Sequence, residues 1–454
     1  MVSLRPMITL HVGMDDTDSP RMGCTTYVAS LLVEKLLAIG VSFIDYPNLV
    51  RLNPNVPWKT RGNGALCLRF KCNESKLEEV KEVAVDTVEK NSDLSYTGTE
   101  PGVVFFFSDT IPEEVAAFSQ QAIQGIVRMK DALKLVRLFK AEAFGFKTGR
   151  GIIGALAAVG ETLEDDHTYE LITYRTRGNC GTKRQVDAKS IFRMDEKTQP
   201  STFNNVDPET KRVLITPRGP DPILYGIRGQ TASIVKKAHR MVRCVEPIER
   251  WTVFRTNHGT DAHLRKVAAI KDISAYNPVV VEGKVAKPPQ IIPRRHIVFA
   301  ISDATGQIDC AAYEPTGLLR RKAAELILGD VIEAYGGVRP ASSKRPLTVN
   351  LEKFRVINLA QKLVFANPFC PNCGRRLKSM GSRKGFRCDK CGFRSAEIKK
   401  HSCEVNRDLQ KTLYVASLRS QRHLTKPLSR YGFENKGKPD RLVSQRFWVN
   451  ERLK

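Results

Sequence analysis

Four cysteines stand at metal-ligand spacing: Cys370-Pro-Asn-Cys373, fourteen residues, then Cys388-Asp-Lys-Cys391. Two such knuckles give four thiolates tetrahedral access to one Zn²⁺, and four sulfurs leave no position open for water, so the ion would be structural. Gly374 and Gly392 follow the second cysteine of each knuckle and let the backbone turn. Arg375, Arg376, Lys378, Arg383, Lys384 and Arg387 lie between the knuckles, the composition of a phosphate-backbone reader. A second constellation is acidic. Asp15, Asp16 and Asp18 follow an alternating apolar run, and Gly23-Cys24-Thr25-Thr26 comes just after. Carboxylates at a strand end suit Mg²⁺, which takes oxygen ligands and shares them with phosphates. A helix start beside them offers free amides to an anion. Helix capping and dipole compensation are the plainer reading of such a run.

Two glycine loops carry cations. Lys59-Thr-Arg61-Gly62-Asn63-Gly64 precedes one predicted strand and Lys147-Thr-Gly149-Arg150-Gly151 another. Backbone amides in such loops can approach an anion closely, although neither loop has the Walker A spacing. Leu224-Tyr225-Gly226-Ile227-Arg228-Gly229 ends a strand on a glycine-flanked arginine, and Thr256-Asn257-His258 follows a later strand. His258 reads as structural more readily than as catalytic.

These groups need elements to position them. Ile8, Leu10 and Val12 alternate as a strand before the acidic turn. Val28, Leu31, Leu32, Leu36 and Ile39 recur at helical spacing after it, closed by Gly40. Strands are predicted over 65–70 and 103–107 with a helix over 76–90 between them, and a strand pair over 152–159 and 170–174. Further strands are expected over 212–216, 223–227 and 251–255, with a helix over 231–242. This is α+β organisation. Beyond Pro278 short strands dominate (279–285, 296–301, 309–313, 331–337 and 347–357), with one helix over 318–327 between the third and fourth. That order is the layout of an OB-fold barrel, with another small β-domain as the alternative.

Composition narrows the function class. The chain has 454 residues, 41% of them hydrophobic, enough for several cores. The net charge is +25, and residues 362–454 hold 23 Lys and Arg against 7 Asp and Glu. A basic excess gathered at one end is the footprint of a polyanion-binding segment. No run of 18 apolar residues and no signal-peptide pattern is present, and eleven scattered cysteines do not form a disulfide framework. The expectation is a cytoplasmic protein without a membrane partner.

Taken together, the blocks Gly13–Ser19, Gly23–Thr26, Lys59–Ala65, Gly149–Ala155, Tyr225–Gly229 and Thr256–His258, with an OB-like stretch and a four-cysteine ribbon, resemble the archaeal agmatidine synthases. These are the 2-agmatinylcytidine synthetases of isoleucine tRNA, and the resemblance runs from about Ile8 to Cys391. It implies a kinase-like catalytic domain over 1–115, completed by part of 206–272, and a ferredoxin-like domain over 116–205. An OB-fold over 273–361, a zinc ribbon over 362–400 and a basic C-terminal tail over 401–454 would follow. It also implies ATP-dependent conjugation of agmatine to the wobble cytidine of a CAU anticodon, with ATP ending as AMP, and self-phosphorylation at Thr25 or its neighbour Thr26. Asp15, Asp16 and Asp18 would hold Mg²⁺ with ATP. Lys59, Arg61, Gly62, Asn63, Gly64, Gly149, Arg150 and Gly151 would cradle the nucleotide, and the backbone around Tyr225, Gly226, Ile227 and Gly229 would meet agmatine. The partners implied are the tRNA, ATP and agmatine, with no obligate protein partner. A metal-dependent RNA nuclease and a non-catalytic OB/ribbon RNA-binding factor are the competing classes.

Overall fold

The computed structural model describes residues 6–439 and 447–451. The segments 440–446 and 452–454 of the expected tail, and residues 1–5, lie outside the described residues.

The chain opens with β1 (Met7–Asp15), α1 (Thr25–Ile39), β2 (Ser42–Phe43), β3 (Asn48–Arg51), β4 (Gly64–Asn73), α2 (Leu77–Lys90) and β5 (Gly102–Phe107). It continues through α3 (Glu113–Gln124), α4 (Met129–Leu138), β6 (Glu142–Gly145), α5 (Gly151–Gly160), β7 (Thr168–Arg175) and α6 (Ala188–Thr198). Then come β8 (Thr202–Phe203), β9 (Val206–Asp207), β10 (Arg212–Val213), β11 (Ile223–Gly229), α7 (Ala232–His239) and β12 (Ile248–Thr256). Among the described residues these strands build one sheet in the order β6-β5-β1-β4-β3-β12-β7-β11-β8, with β2 beside β4, while β9 and β10 pair only with each other.

Strand alternation explains the layering. Leu10, Val12 and Met14 of β1 point to the face covered by α1 and α2, where they meet Val28, Leu32, Leu36, Val80 and Ala84. Val104 and Phe106 of β5 point the other way, onto α3 and α5 through Val115, Phe118, Ala155 and Val159. In the second half of the sheet Leu171, Tyr225, Ile227 and Val253 pack on Ile191 and Met194 of α6 and Val235 of α7. The opposite face there carries Glu170, Ile172, Gly226 and Arg228, which line an open cavity.

Three sequence expectations are corrected. Residues 152–159 form helix α5, not a strand. Its run of Ile, Ala, Leu and Val lacks polar positions because the helix is buried on nearly every side, so no helical period shows. It also lies against the sheet at backbone distance: a Cβ on Gly13 would sit 2.1 Å from Ala155 O, and one on Gly102 2.1 Å from Ile152 N. Residues 116–160, expected to open a separate domain, pack through α3, α4, β6 and α5 on the N-terminal part of the sheet. The helix expected over 318–327 is shorter, α8 (Leu318–Ala323).

After the short strand β13 (Arg265–Lys266), strands β14 (Pro278–Ile292), β15 (His296–Ser302), β16 (Gln307–Ala312), β17 (Val331–Arg339) and β18 (Thr348–Asn358) account for the five expected there. β14 pairs with both β15 and β17, so the ring β14-β15-β16-β18-β17 closes on itself around Val281, Phe299, Ile332 and Phe354. β19 (Leu363–Ala366) leads out to β20 (Lys378–Ser379), β21 (Phe386–Arg387) and β22 (Arg394–Ser395), and β23 (His401–Glu404) leads back against β19.

The expected basic tail is not a free tail. β24 (Leu413–Val415) adds to β18, and β25 (Trp448–Asn450) adds to β12 of the main sheet. Between them Arg430 is fully buried, donating from Nη2 to Asp166 Oδ1 at 2.7 Å and from Nη1 to Gly259 O at 2.6 Å. Positive charge in this segment thus serves partly to tie the chain down. No helix of the described residues is long and apolar enough to cross a membrane.

Candidate functional site

A cavity of about 380 Å³ opens where the N-termini of α1 and α5, the 59–64 loop and the strands β7 and β11 converge. The acidic turn forms one wall. Asp15, Asp16 and Asp18 all line it. Asp16 adopts a left-handed backbone, φ 61°, a conformation Asp tolerates better than most residues. Burial raises the pKa of Asp16, against the opposing pull of Arg150, whose Nη2 donates to Asp16 Oδ2 at 2.8 Å. Asp15 is held well above the ordinary carboxylate range by burial and by the neighbouring Asp16. It lies against the first turn of α5, where a Cβ on Gly154 would collide with its carboxylate. Asp16 and Asp18 are engaged by Arg150 and Arg61, and among the described residues only the four ribbon cysteines gather as a ready metal-ligand group.

Asp18 is bound by the 59–64 loop. Arg61 Nε donates to its Oδ2 at 2.6 Å and Thr60 Oγ1 to its Oδ1 at 3.1 Å. Arg61 also donates to Gly23 O at 2.6 Å and lies 3.3 Å from Asp221 Oδ2. Lys59, Arg61, Gly62, Asn63, Gly64, Arg150 and Gly151 line the cavity. Gly149 does not; it packs on Gly145, where a Cβ would come 3.0 Å from the Gly145 Cα. Because 151–160 is a helix, the Arg150–Gly151 wall is a helix N-terminus with its positive dipole end toward the cavity, although the amides of Gly151, Ile152 and Ile153 already donate to Glu100 O, Gly149 O and Arg150 O. Thr25 and Thr26 begin α1 on the same cavity. Thr17 Oγ1 donates to Thr25 Oγ1 at 3.1 Å, while Thr26 Oγ1 sits 3.0 Å from Cys24 Sγ.

The 225–229 strand is placed differently from expectation. Of the four residues named for agmatine, only Gly226 reaches the cavity. Tyr225 and Ile227 alternate onto the opposite face and are core. The Tyr225 carbonyl accepts from Thr173 Oγ1, and a Cβ on Gly229 would meet Ile234 and Val235. The period of two along a strand dictates this split.

Several lining residues escape a sequence reading. Glu170 sits beneath Gly226, with Arg228 Nε donating to its Oε1 at 3.1 Å, His258 Nδ1 at 3.4 Å and Arg51 Nη2 at 3.9 Å. Although burial favours the neutral acid, those groups keep Glu170 ionised, well below the usual range. His258 is driven down to about 3 by burial and by Arg228. Asp221, whose pKa burial raises, pairs with Arg61 and with Arg184, 3.1 Å away. Trp58, half exposed, stands at the cavity wall, and His423 reaches it from the C-terminal segment. The Arg-Gly-Pro-Asp221 turn could have signalled Asp221, but nothing local marks His423.

The cysteine cluster is a separate site. The sulfurs of Cys370, Cys373, Cys388 and Cys391 all lie within 4.8 Å of one another, with contacts of 3.5 Å (Cys370–Cys391) and 3.4 Å (Cys373–Cys388). Zn–S bonds of about 2.3 Å in a tetrahedron require sulfur separations of roughly 3.8 Å, which this cage accommodates. Gly374 and Gly392 both take positive φ at the knuckle turns.

The chain matches three family models: the TiaS TCKD domain over residues 11–148, the TiaS FLD domain over 149–263 and the TiaS C-terminal zinc ribbon domain over 367–409. It is 41% identical, over 93% of its own length and 99% of the relative, to TiaS of Methanocaldococcus jannaschii, a 2-agmatinylcytidine synthetase of isoleucine tRNA. Among solved structures it resembles a complex of TiaS with isoleucine tRNA and ATP at 37% identity and TM-score 0.84. It also resembles a complex of TiaS with isoleucine tRNA, AMPCPP and agmatine at 35% identity and TM-score 0.81. Each of these alignments covers 95% of this chain and 99% of the solved one.

Proposed function

This chain belongs to the TiaS family, and we propose that it is an ATP-dependent ligase that joins agmatine to C2 of the wobble cytidine in the isoleucine tRNA with a CAU anticodon. The observation that carries this reading is the convergence in one cavity of the acidic turn, the Lys59–Gly64 loop, the N-terminus of α5 and the residues Gly226 and Arg228 of β11. The relatives with bound isoleucine tRNA, ATP, AMPCPP and agmatine support it.

In this reading the chemistry runs in two steps. The cytidine O2 takes a phosphoryl group from ATP. The agmatine amine then attacks C2 and loses a proton, the C2–O bond breaks, and the oxygen leaves as phosphate; the ADP left by the first transfer passes its β-phosphoryl group to water or to the Thr25 hydroxyl, so ATP ends as AMP. Phosphoryl transfer is mostly positioning and charge neutralisation. Asp15, Asp16 and Asp18 would hold Mg²⁺, which offsets triphosphate charge when bound. Lys59, Arg61 and Arg150 face the same space and would hold the phosphates. Agmatine would enter beside Gly226, where the carboxylates of Asp221 and Glu170, each already paired with arginines, are the acceptors at hand. Single-stranded anticodon bases splay at low cost, so the cytidine can reach a recessed cavity. Half-exposed Trp58 is placed to stack such a base.

The finer architecture in this proposal is a kinase-like half on β1–β6, a ferredoxin-like unit on β7–β12, an OB-like barrel on β14–β18 and a zinc ribbon. A self-kinase activity is part of it, with Thr25 as acceptor, so Thr25→Val should abolish phosphate incorporation into protein unless Thr26 substitutes.

The test is transfer from ATP labelled in its γ-phosphate to this tRNA with agmatine withheld. Label on the wobble cytidine, released as phosphate when agmatine is added, supports the mechanism. Agmatine incorporation without any labelled RNA intermediate would overturn it.

A further inference from the structure

The phosphate-side loop is held from behind by the C-terminal half of the chain. Leu52 to Asn63 forms a loop closed at its neck by Leu52 N–H donating to Asn63 O at 2.9 Å and Asn63 Nδ2 to Asn53 O at 2.7 Å. Its cavity side presents Lys59, Arg61 and Gly62. Its back presents Asn55, which sits on strand β17 of the closed barrel so tightly that a Cβ on Gly337 would fall 2.1 Å from Asn55 Oδ1. Arg422 Nη1 donates to that same Asn55 Oδ1 at 2.5 Å.

Arg422 belongs to a segment anchored on both halves of the molecule. Thr425 Oγ1 donates to Glu352 Oε2 of β18 at 2.6 Å, and Arg422 Nε lies 3.7 Å from Glu352 Oε1. The amides of Gly259 and Asp261, just beyond β12, donate to His423 O and Leu424 O at 2.8 Å each. His423 crosses from there to the cavity, where a Cβ on Gly62 would lie 2.9 Å from His423 Nε2, and its ring meets His258 edge-on with centroids 4.9 Å apart. One residue pair thus touches the loop on two sides, Arg422 at Asn55 and His423 at Gly62.

We propose that Arg422 is a positioning residue for the nucleotide: through Asn55 it fixes the Lys59–Gly62 loop, so a segment following the zinc ribbon completes the ATP site. This role rests on the proposed binding of ATP in this cavity. A guanidinium bridging an acceptor in the loop and a carboxylate of the barrel fixes a geometry that a point charge does less well. Loss of the bond frees a loop whose value lies in pre-organisation, since misplacing phosphate ligands costs binding that remote contacts had secured.

The experiment measures the affinity of full-length protein for a non-hydrolysable ATP analogue beside its affinity for tRNA. Variants are Arg422→Ala, Asn55→Ala, the double variant and Arg422→Lys. Arg422→Ala and Asn55→Ala should each weaken the analogue about tenfold, the double no further than either single, and tRNA affinity should stay within about twofold. Arg422→Lys should recover part of the loss. A structural role alone lowers the melting temperature and the active fraction but leaves the analogue affinity of the active fraction intact, and that outcome overturns the proposal. So does multiplication of the two single losses in the double variant. Where Arg422→Ala does not fold, Asn55→Ala decides by the same readout. Failure of the wild type to bind the analogue would refute the ATP assignment itself, whereas wild-type binding with unaltered variants would refute only the role of Arg422.

Discussion

Arg61 and Asp18 join two parts of the chain 43 residues apart through an Nε–Oδ2 hydrogen bond of 2.6 Å. The same guanidinium reaches Gly23 O and approaches Asp221, so it holds the acidic turn, the start of α1 and the segment before β11 together. Lysine cannot span these acceptors with one ammonium. Arg61→Lys should therefore lower kcat/KM for ATP by more than about tenfold, roughly 1.4 kcal/mol, with tRNA binding by gel shift unchanged.

Asp16→Asn keeps the side-chain shape and, since Asn also tolerates the left-handed backbone, spares the turn. It removes one negative charge facing Arg150 and the cavity. Loss of one such electrostatic contact typically costs on the order of 3 kcal/mol, about a hundredfold in rate. Normal agmatine incorporation by this variant would return the turn to a capping role.

His11 gives a pH prediction. Its Nε2 donates to Ser108 O at 2.9 Å while Nδ1 faces Arg69 Nη1 at 3.0 Å, so the ring is neutral, and burial with the Arg69 charge lowers its pKa to about 4. The unfolded chain binds this proton near pH 6.5 and the folded protein only near 4, so the unfolded state holds more protons in between. Stability then falls as pH drops from about 6.5 toward 4, by up to roughly 3 kcal/mol from this residue. Replacing His11 by Gln should flatten the decline of melting temperature across that window; an unchanged slope would place the acid sensitivity elsewhere.

Cys388→Ser removes one of four zinc ligands from a unit whose small core is Cys370, Leu377, Phe386 and Cys388. Metal binding is folding free energy in such a unit. Zinc content should fall from one equivalent and tRNA affinity should drop with it. ATP-analogue affinity should persist, because the cavity draws no residue from 367–404. Retention of a full zinc equivalent would mean that the other three thiolates suffice.

Legibility follows locality. The double CxxC, the acidic turn, the 59–64 loop and the five barrel strands are contiguous patterns, and each stands where its residues indicate. Helix α5 reads as a strand because burial on all sides erases its period. Tyr225 and Ile227 look like site residues as members of a motif, although strand alternation sends them to the core. Glu170 and His423 stay hidden because each reaches the cavity only through long-range packing. His423 travels furthest: its segment has the composition of a polyanion-binding tail, and its charge gives no sign that Arg430 and Lys426 are spent on buried pairs with Asp166.

The measurement that bears most directly on the central claim is nucleoside analysis of the CAU-anticodon isoleucine tRNA incubated with the protein, ATP and radiolabelled agmatine, with AMP quantified in the same tube. The expected result is labelled 2-agmatinylcytidine at the wobble position and AMP formed in step with it, both abolished when ATP is omitted. Agmatine left unincorporated under these conditions, or magnesium-dependent cleavage of the tRNA without ATP, would contradict the account.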